Sequence, residues 1–253
     1  MSHNAHATPL VIALVAFCLI RSADAAIGLD RTRVVFDGSK DAVSMNITNN
    51  NTQLPYLAQG WIEDEQGNKI TTPLTVLPPV QRLEPGKKSQ VKVQALPAAK
   101  LLAQDRETVY YFNLREIPPR SDKANTLQIA LQTRIKLFYR PASIVPSQQE
   151  RSNPWQEKLT LSLVDAHYQV NNPTPYYVTL VDARNSKDGK TVEGFEPLMV
   201  PPKGSLTLAP SAAALGKTPY LTYVNDYGGR PVLAFICSGN TCKVDLDASP
   251  RNE

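Results

Sequence analysis

Histidine is nearly missing from this chain: His3, His6 and His167 are all it has in 253 residues. That excludes His-rich metal sites and most Ser-His-Asp arrangements. Glycine-rich phosphate loops are missing too, since neither GxGxxG nor GKT/GKS occurs. Ser and Asp are plentiful but form no recognisable nucleophile elbow, and pairs such as Glu63 and Glu65 read as solvated carboxylates. No cofactor or metal site is therefore expected, and a binding module is favoured over an enzyme. The formal net charge is only +4, and Lys and Arg are scattered rather than striped, so nucleic acid is not an expected partner.

No apolar run is long enough to span a bilayer. The longest, Leu10 to Ile20, falls short. Ala23-Asp24-Ala25 follows it, with small residues where a secretory leader is cut. Residues 1–25 are thus expected to be a signal peptide, although its start carries His3 and His6 and no Lys or Arg. Phe17 before Cys18 is too bulky for lipoprotein cleavage. Cleavage removes Arg21 and Asp24 together and leaves the net charge unchanged. The mature chain is expected to be exported, soluble and not inserted in a membrane.

What is present is mostly β pattern. In the run 125–141 (NTLQIALQTRIKLFYRP), Leu127, Ile129, Leu131, Ile135 and Leu137 alternate with Gln128, Ala130, Gln132, Arg134 and Lys136. This period of two predicts one long strand over 125–139. Such a strand either lies in a sandwich core or, at a free edge, serves as a template for an incoming strand. Its length and two cations favour a strand with a second task.

Shorter runs precede it: 33–36, 42–48, 57–63, 74–77, 81–83, 90–95 and 108–115, with turn residues between them and a short helical turn over 98–103. Seven or eight short strands in this span mark a β-sandwich. The proline- and polar-rich stretch 141–154 reads as a linker. A second series follows: 159–164, 168–171, 176–183, 195–200, 205–208, 221–225, 232–236 and 242–246. The expected organisation is all-β: a domain over 26–140, a linker over 141–154 and a second domain over 155–253. Cys237 and Cys242 flank Ser-Gly-Asn-Thr, a hairpin turn that would set them face to face. An oxidising compartment would close them into a structural disulfide. They lack the Cys-x-x-Cys spacing of a redox pair. His167, at a strand start, reads as a surface or packing residue.

Six blocks carry a resemblance: AIGLDRTRVVFDG (26–38), NTQLPYLAQGWIEDE (51–65), QDRETVYYFNLREIPP (104–119), LQIALQTRIKLFYRP (127–141), NNPTPYYVTL (171–180) and YVNDYGGRPVLAFIC (223–237). Together they closely resemble PapD-like periplasmic chaperones of the chaperone–usher pilus pathway. The likeness covers nearly all the mature chain and departs mainly over 184–218 and at the C-terminus.

The resemblance implies two immunoglobulin-like sandwiches set as a boomerang. It implies that Arg33 and Lys136 grip the C-terminal carboxylate of a pilus subunit in the cleft. Leu127, Ile129 and Leu131 would be donated to complete that subunit's sandwich. Glu107, Arg140 and Asp226 would form an ion network between the domains. The implied partners are pilus subunits and an outer-membrane usher, and the implied compartment is the periplasm. Lys136 is even-numbered and the apolar row odd, so a flat strand sends them to opposite faces. A bulge, a strong twist or a lysine reaching round the edge is then expected. The rival reading is a pilin or adhesin component of a surface fibre. Such a subunit would carry a donor extension, whereas only a few residues lie between the expected cleavage site and the strand near Asp30.

Overall fold

The computed structural model describes residues 25–122 and 125–249, so the expected signal peptide, apart from Ala25, lies outside the described residues. Two β units follow one another. In the first, one sheet has the order β1 (Ile27–Leu29), β3 (Ala42–Asn49), β8 (Lys88–Ala95), β6 (Leu74–Leu77). The facing sheet runs β2 (Arg33–Asp37), β10 (Gln132–Arg140), β9 (Thr108–Ile117), β4 (Tyr56–Glu63), β5 (Lys69–Ile70), with β7 (Val80–Leu83) also on β4. β10 pairs with β2 in parallel and with β9 antiparallel. Alternation places Val34, Phe36, Met45, Ile47, Ile62, Phe112 and Leu137 between the sheets, fully buried.

The second unit is one continuous path of eight strands, ordered β14 (Leu198–Val200), β13 (Val178–Arg184), β16 (Tyr220–Val224), β17 (Val232–Ser238), β18 (Thr241–Asp245), β11 (Thr160–Val164), β12 (His167–Asn172), β15 (Gly204–Ser211). The path bends on itself, since residues from both ends (Val178 and Val200, Val170 and Leu208) share one core. The expected strand over 195–200 shrinks to its last three residues. β1 and β5 carried no strand signal of their own. They are too short for period-two patterning to be read.

Cys237 and Cys242 are directly opposed on β17 and β18 and form a disulfide. His167 is half-buried at the start of β12, with Nδ1 3.2 Å from the carbonyl oxygens of Leu208 and Pro210. That is a packing role.

Between the units, Ser147 caps the short helix Gln148–Arg151. Its hydroxyl accepts from the Glu150 N–H, and the Glu150 carboxylate accepts from the Ser147 N–H. The stretch therefore holds local structure rather than plain coil.

The long strand differs from expectation. Regular pairing begins at Gln132, not near Asn125, and runs to Arg140. The odd-numbered row is thereby split. Ile135 is 9% exposed and Leu137 0%, whereas Leu131, Ile129 and Leu127 are 38%, 65% and 84% exposed. The lower row is core. The upper row lies in a segment outside the ladder.

Candidate functional site

The register of β10 explains the parity of Lys136. Every rung from Gln132↔Arg115 to Tyr139↔Thr108 is in step, with no shift between them. No bulge intervenes, so that expectation is corrected. Odd residues of β10 enter the core, and even residues (Lys136, Phe138, Arg140) face the other way. That other face meets the second unit. Phe138 packs on Tyr177 with ring centroids 5.8 Å apart.

Arg33 is the β2 partner of Lys136 in the parallel register. The same alternation buries Val34 and Phe36 and turns Arg33, Val35 and Asp37 toward the space between the units. Two cations thus stand side by side on neighbouring strands, an arrangement that is unfavourable in an ordinary sheet. Burial, then the Arg33 charge, holds Lys136 below the usual lysine range. Arg33 is also lowered by burial, against the pull of Asp226 and Glu107. One Arg33 Nη donates to the Val224 carbonyl across the interface at 3.1 Å. Its Nε is buried with no partner among the described residues. Such groups are costly unless something pairs them.

The neighbouring carboxylates are already engaged. Arg140, at the end of β10, reaches Glu107 at 2.7 Å and Asp226 at 2.9 Å. Its guanidinium lies 5.0 Å from the Trp155 ring and 4.7 Å from the Tyr176 ring. Glu107 Oε2 accepts the Tyr177 N–H at 2.8 Å. Burial pushes Glu107 up, to about 7, while Arg140 and the Tyr177 N–H pull it down. Glu107, Arg140 and Asp226 therefore meet, and the contacts join residues of both units. Gly228 in the following turn has φ +86°, and a Cβ there would come within 2.7 Å of Thr32 Oγ1. Beside these residues lies a cleft of about 800 Å³, lined by Arg33, Val35, Trp155, Tyr223 and Asp226 among others.

The donor candidates, Leu127, Ile129 and Leu131, stand apart from this cleft along the same chain segment. They are tied back to the preceding arm, where Gln128 Nε2 donates to the Pro119 carbonyl at 2.5 Å. The structure thus brings Arg33 to Lys136, and Glu107 and Asp226 to Arg140. The apolar trio stays exposed in line with them.

A further cluster carries groups that patterning assigned to solvent. The Glu63 side chain is only 14% exposed. It accepts from Trp61 Nε1 at 2.7 Å and from Arg134 Nε at 3.0 Å. The spacing of Trp61 and Glu63 on one strand face was the available signal.

The comparisons agree along the chain. Residues 26–145 match the model described as "Pili and flagellar-assembly chaperone, PapD N-terminal domain". Residues 154–235 match "Pili assembly chaperone PapD, C-terminal domain". The chain is 52% identical to the "Chaperone protein PapD" of Escherichia coli over 93% of its length and 96% of that protein's. It is 43% identical to the "Chaperone protein PmfD" of Proteus mirabilis (strain HI4320), covering 94% of each. The solved Pseudomonas aeruginosa CupB2 chaperone superposes with a TM-score of 0.67 at 30% identity, over 83% of this chain and all of that one.

Proposed function

Because the chain belongs to the PapD-like pili assembly chaperone family, we propose that it holds pilus subunits by two contacts at once. Arg33 and Lys136 take the subunit's C-terminal carboxylate. Leu127, Ile129 and Leu131 enter the groove left by the subunit's missing strand. The family is one of chaperones rather than fibre components, which removes the rival pilin reading.

A pilin lacking a strand exposes an apolar groove and unpaired edges, an aggregation hazard. A donated strand supplies backbone partners to the edges and side chains to the groove. The carboxylate anchor fixes which residue meets which pocket, since a slip by one would turn the row outward. The observation that carries this reading is the register of Lys136 against Arg33, two half-buried cations whose neighbouring carboxylates are held by Arg140. A carboxylate is the group that offsets such a pair.

The work is done in the periplasm without catalysis, and the complex is then passed to an outer-membrane usher. Glu107, Arg140 and Asp226 set the angle at which the two units meet. Purification of the chain from periplasm, with mass spectrometry of whatever accompanies it, tests the proposal. A pilus subunit is expected. A chain that recovers no fibre subunit from cells expressing its pilus genes would contradict it.

A further inference from the structure

The exposed apolar row needs a fixed root, and Glu116 supplies one. We infer that Glu116 is a positioning residue that pins the donor segment at Leu131 and couples it to the N-terminal strand. The inference rests on the donor-strand reading above.

Glu116 lies on the core side of β9 and is only 5% exposed, among apolar neighbours. Its Oε2 accepts the Ile27 N–H at 3.0 Å. Its Oε1 accepts the Leu131 N–H at 3.4 Å. Its own backbone N–H donates to the Leu131 carbonyl at 3.0 Å.

The ladder pairs Gln132 with Arg115, so Leu131 and Glu116 form the next rung. In a regular hydrogen-bonded rung the Leu131 N–H would go to the Glu116 carbonyl. Here the side chain takes it. Regular pairing stops at this rung, and the side chains of the odd row pass from buried to exposed.

The other carboxylate oxygen reaches a different sheet. Ile27 belongs to β1, which among the described residues pairs only with β3 of the opposite sheet, and its side chain is in the core. One carboxylate therefore ties the root of the donor segment to an edge strand across the sandwich. The Gln128 bond to Pro119 is a second tie between the same two arms.

A strand template must keep its register, because a shift by one residue reverses its faces. A carboxylate suits the post because it is acceptor-only and serves two N–H groups from two directions. A carboxamide has one acceptor oxygen and would turn its NH2 toward one of the donors.

The test uses the full mature chain, with Glu116→Gln and Glu116→Ala. Amide exchange by NMR is read at Ile27 and Leu131, and at Phe112 and Leu137 as core references. The binding probe is the subunit that co-purifies with the unaltered chain.

Exchange at Leu131 and Ile27 should quicken about tenfold in Glu116→Ala, the loss of roughly one buried hydrogen bond, with the references unmoved. Capture should weaken by a similar factor, with Glu116→Gln intermediate. Val91→Ala, a core truncation away from both contacts, should lower the melting temperature without weakening capture. If Glu116→Ala does not fold, the near-isosteric Gln variant carries the test.

Unchanged exchange at Leu131 in the Gln and Ala variants overturns the inference. So does a capture loss that Val91→Ala reproduces at equal melting temperature. Full capture by Leu131→Asp would instead strike the donor-strand reading, while the exchange data would still judge the role of Glu116.

Discussion

Lys136 stands directly opposite Arg33 on a neighbouring parallel strand, and both lie on the sheet face turned away from the core. Like charges so placed cost stability in the empty protein. On the proposed reading they receive the subunit's carboxylate, while Glu107 and Asp226 are already paired with Arg140.

Arg33→Ala and Lys136→Ala should each fold and lose subunit capture by about 2–5 kcal/mol, the usual cost of removing one partner of a buried charge-assisted contact. Circular dichroism with a subunit pull-down checks both halves. Normal capture by both variants would remove the carboxylate anchor.

The split of the odd row predicts opposite outcomes along one strand. Ile129→Asp and Leu131→Asp should keep the melting temperature and lose binding, since both side chains are exposed in the free protein and an unpaired carboxylate in an apolar groove is costly. Ile135→Asp, in the core, should lose several kcal/mol of stability for the same chemical reason. Gln128→Asp, on the other parity, should lose less affinity than Ile129→Asp. Equal affinity losses on both parities would show that the row is not what enters the subunit.

Lys136 makes a pH prediction. Its pKa in the fold lies below the ordinary lysine value of 10.5 because of burial and Arg33. The folded state therefore sheds that proton before the unfolded state does. The empty protein gains stability as pH rises through the folded pKa toward 10.5, because the unfolded chain then holds the extra proton. Capture moves the opposite way, since the carboxylate wants the charged lysine. Affinity should fall on the alkaline side earlier than an ordinary lysine would titrate, and Lys136→Arg should flatten that limb. A binding curve flat in this range for the unaltered chain would contradict the assignment.

The interdomain ions predict asymmetric costs. Arg140→Ala leaves Glu107 buried and unpaired and should cost about 3–5 kcal/mol. Asp226→Ala should cost less, because the Asp226 side chain is 27% exposed. Denaturant melts rank the two, and small-angle scattering reads the domain angle, which both should loosen.

The disulfide should matter only locally. A Cys237→Ser, Cys242→Ser double variant closes no short loop and should lose about 2 kcal/mol or less on the chain-entropy model. It should melt earlier and still capture subunits, because the bond lies in the unit without Arg33 and the donor segment.

Much of this was legible in the sequence. Alternation located most strands, and the Ser-Gly-Asn-Thr turn located the cysteine hairpin. The roles of Arg33, Lys136 and Arg140 came only with the family resemblance, because a lone cation in a strand reads as solvated. Apolar residues recur on both sides of Thr133, so periodicity alone did not show where pairing stops. That limit falls at Glu116, whose side chain takes the Leu131 N–H in place of a backbone carbonyl. Patterning could place Trp61 beside Glu63 on one strand face, but not show that Arg134 also holds Glu63, since that contact joins different strands.

The most direct measurement is hydrogen exchange by mass spectrometry on the chain alone and on its complex with the co-purified subunit. Strand donation predicts new protection over 127–131, where regular pairing is missing in the free protein, together with its loss in Leu131→Asp. A complex in which those amides exchange as fast as in the free chain would contradict strand donation.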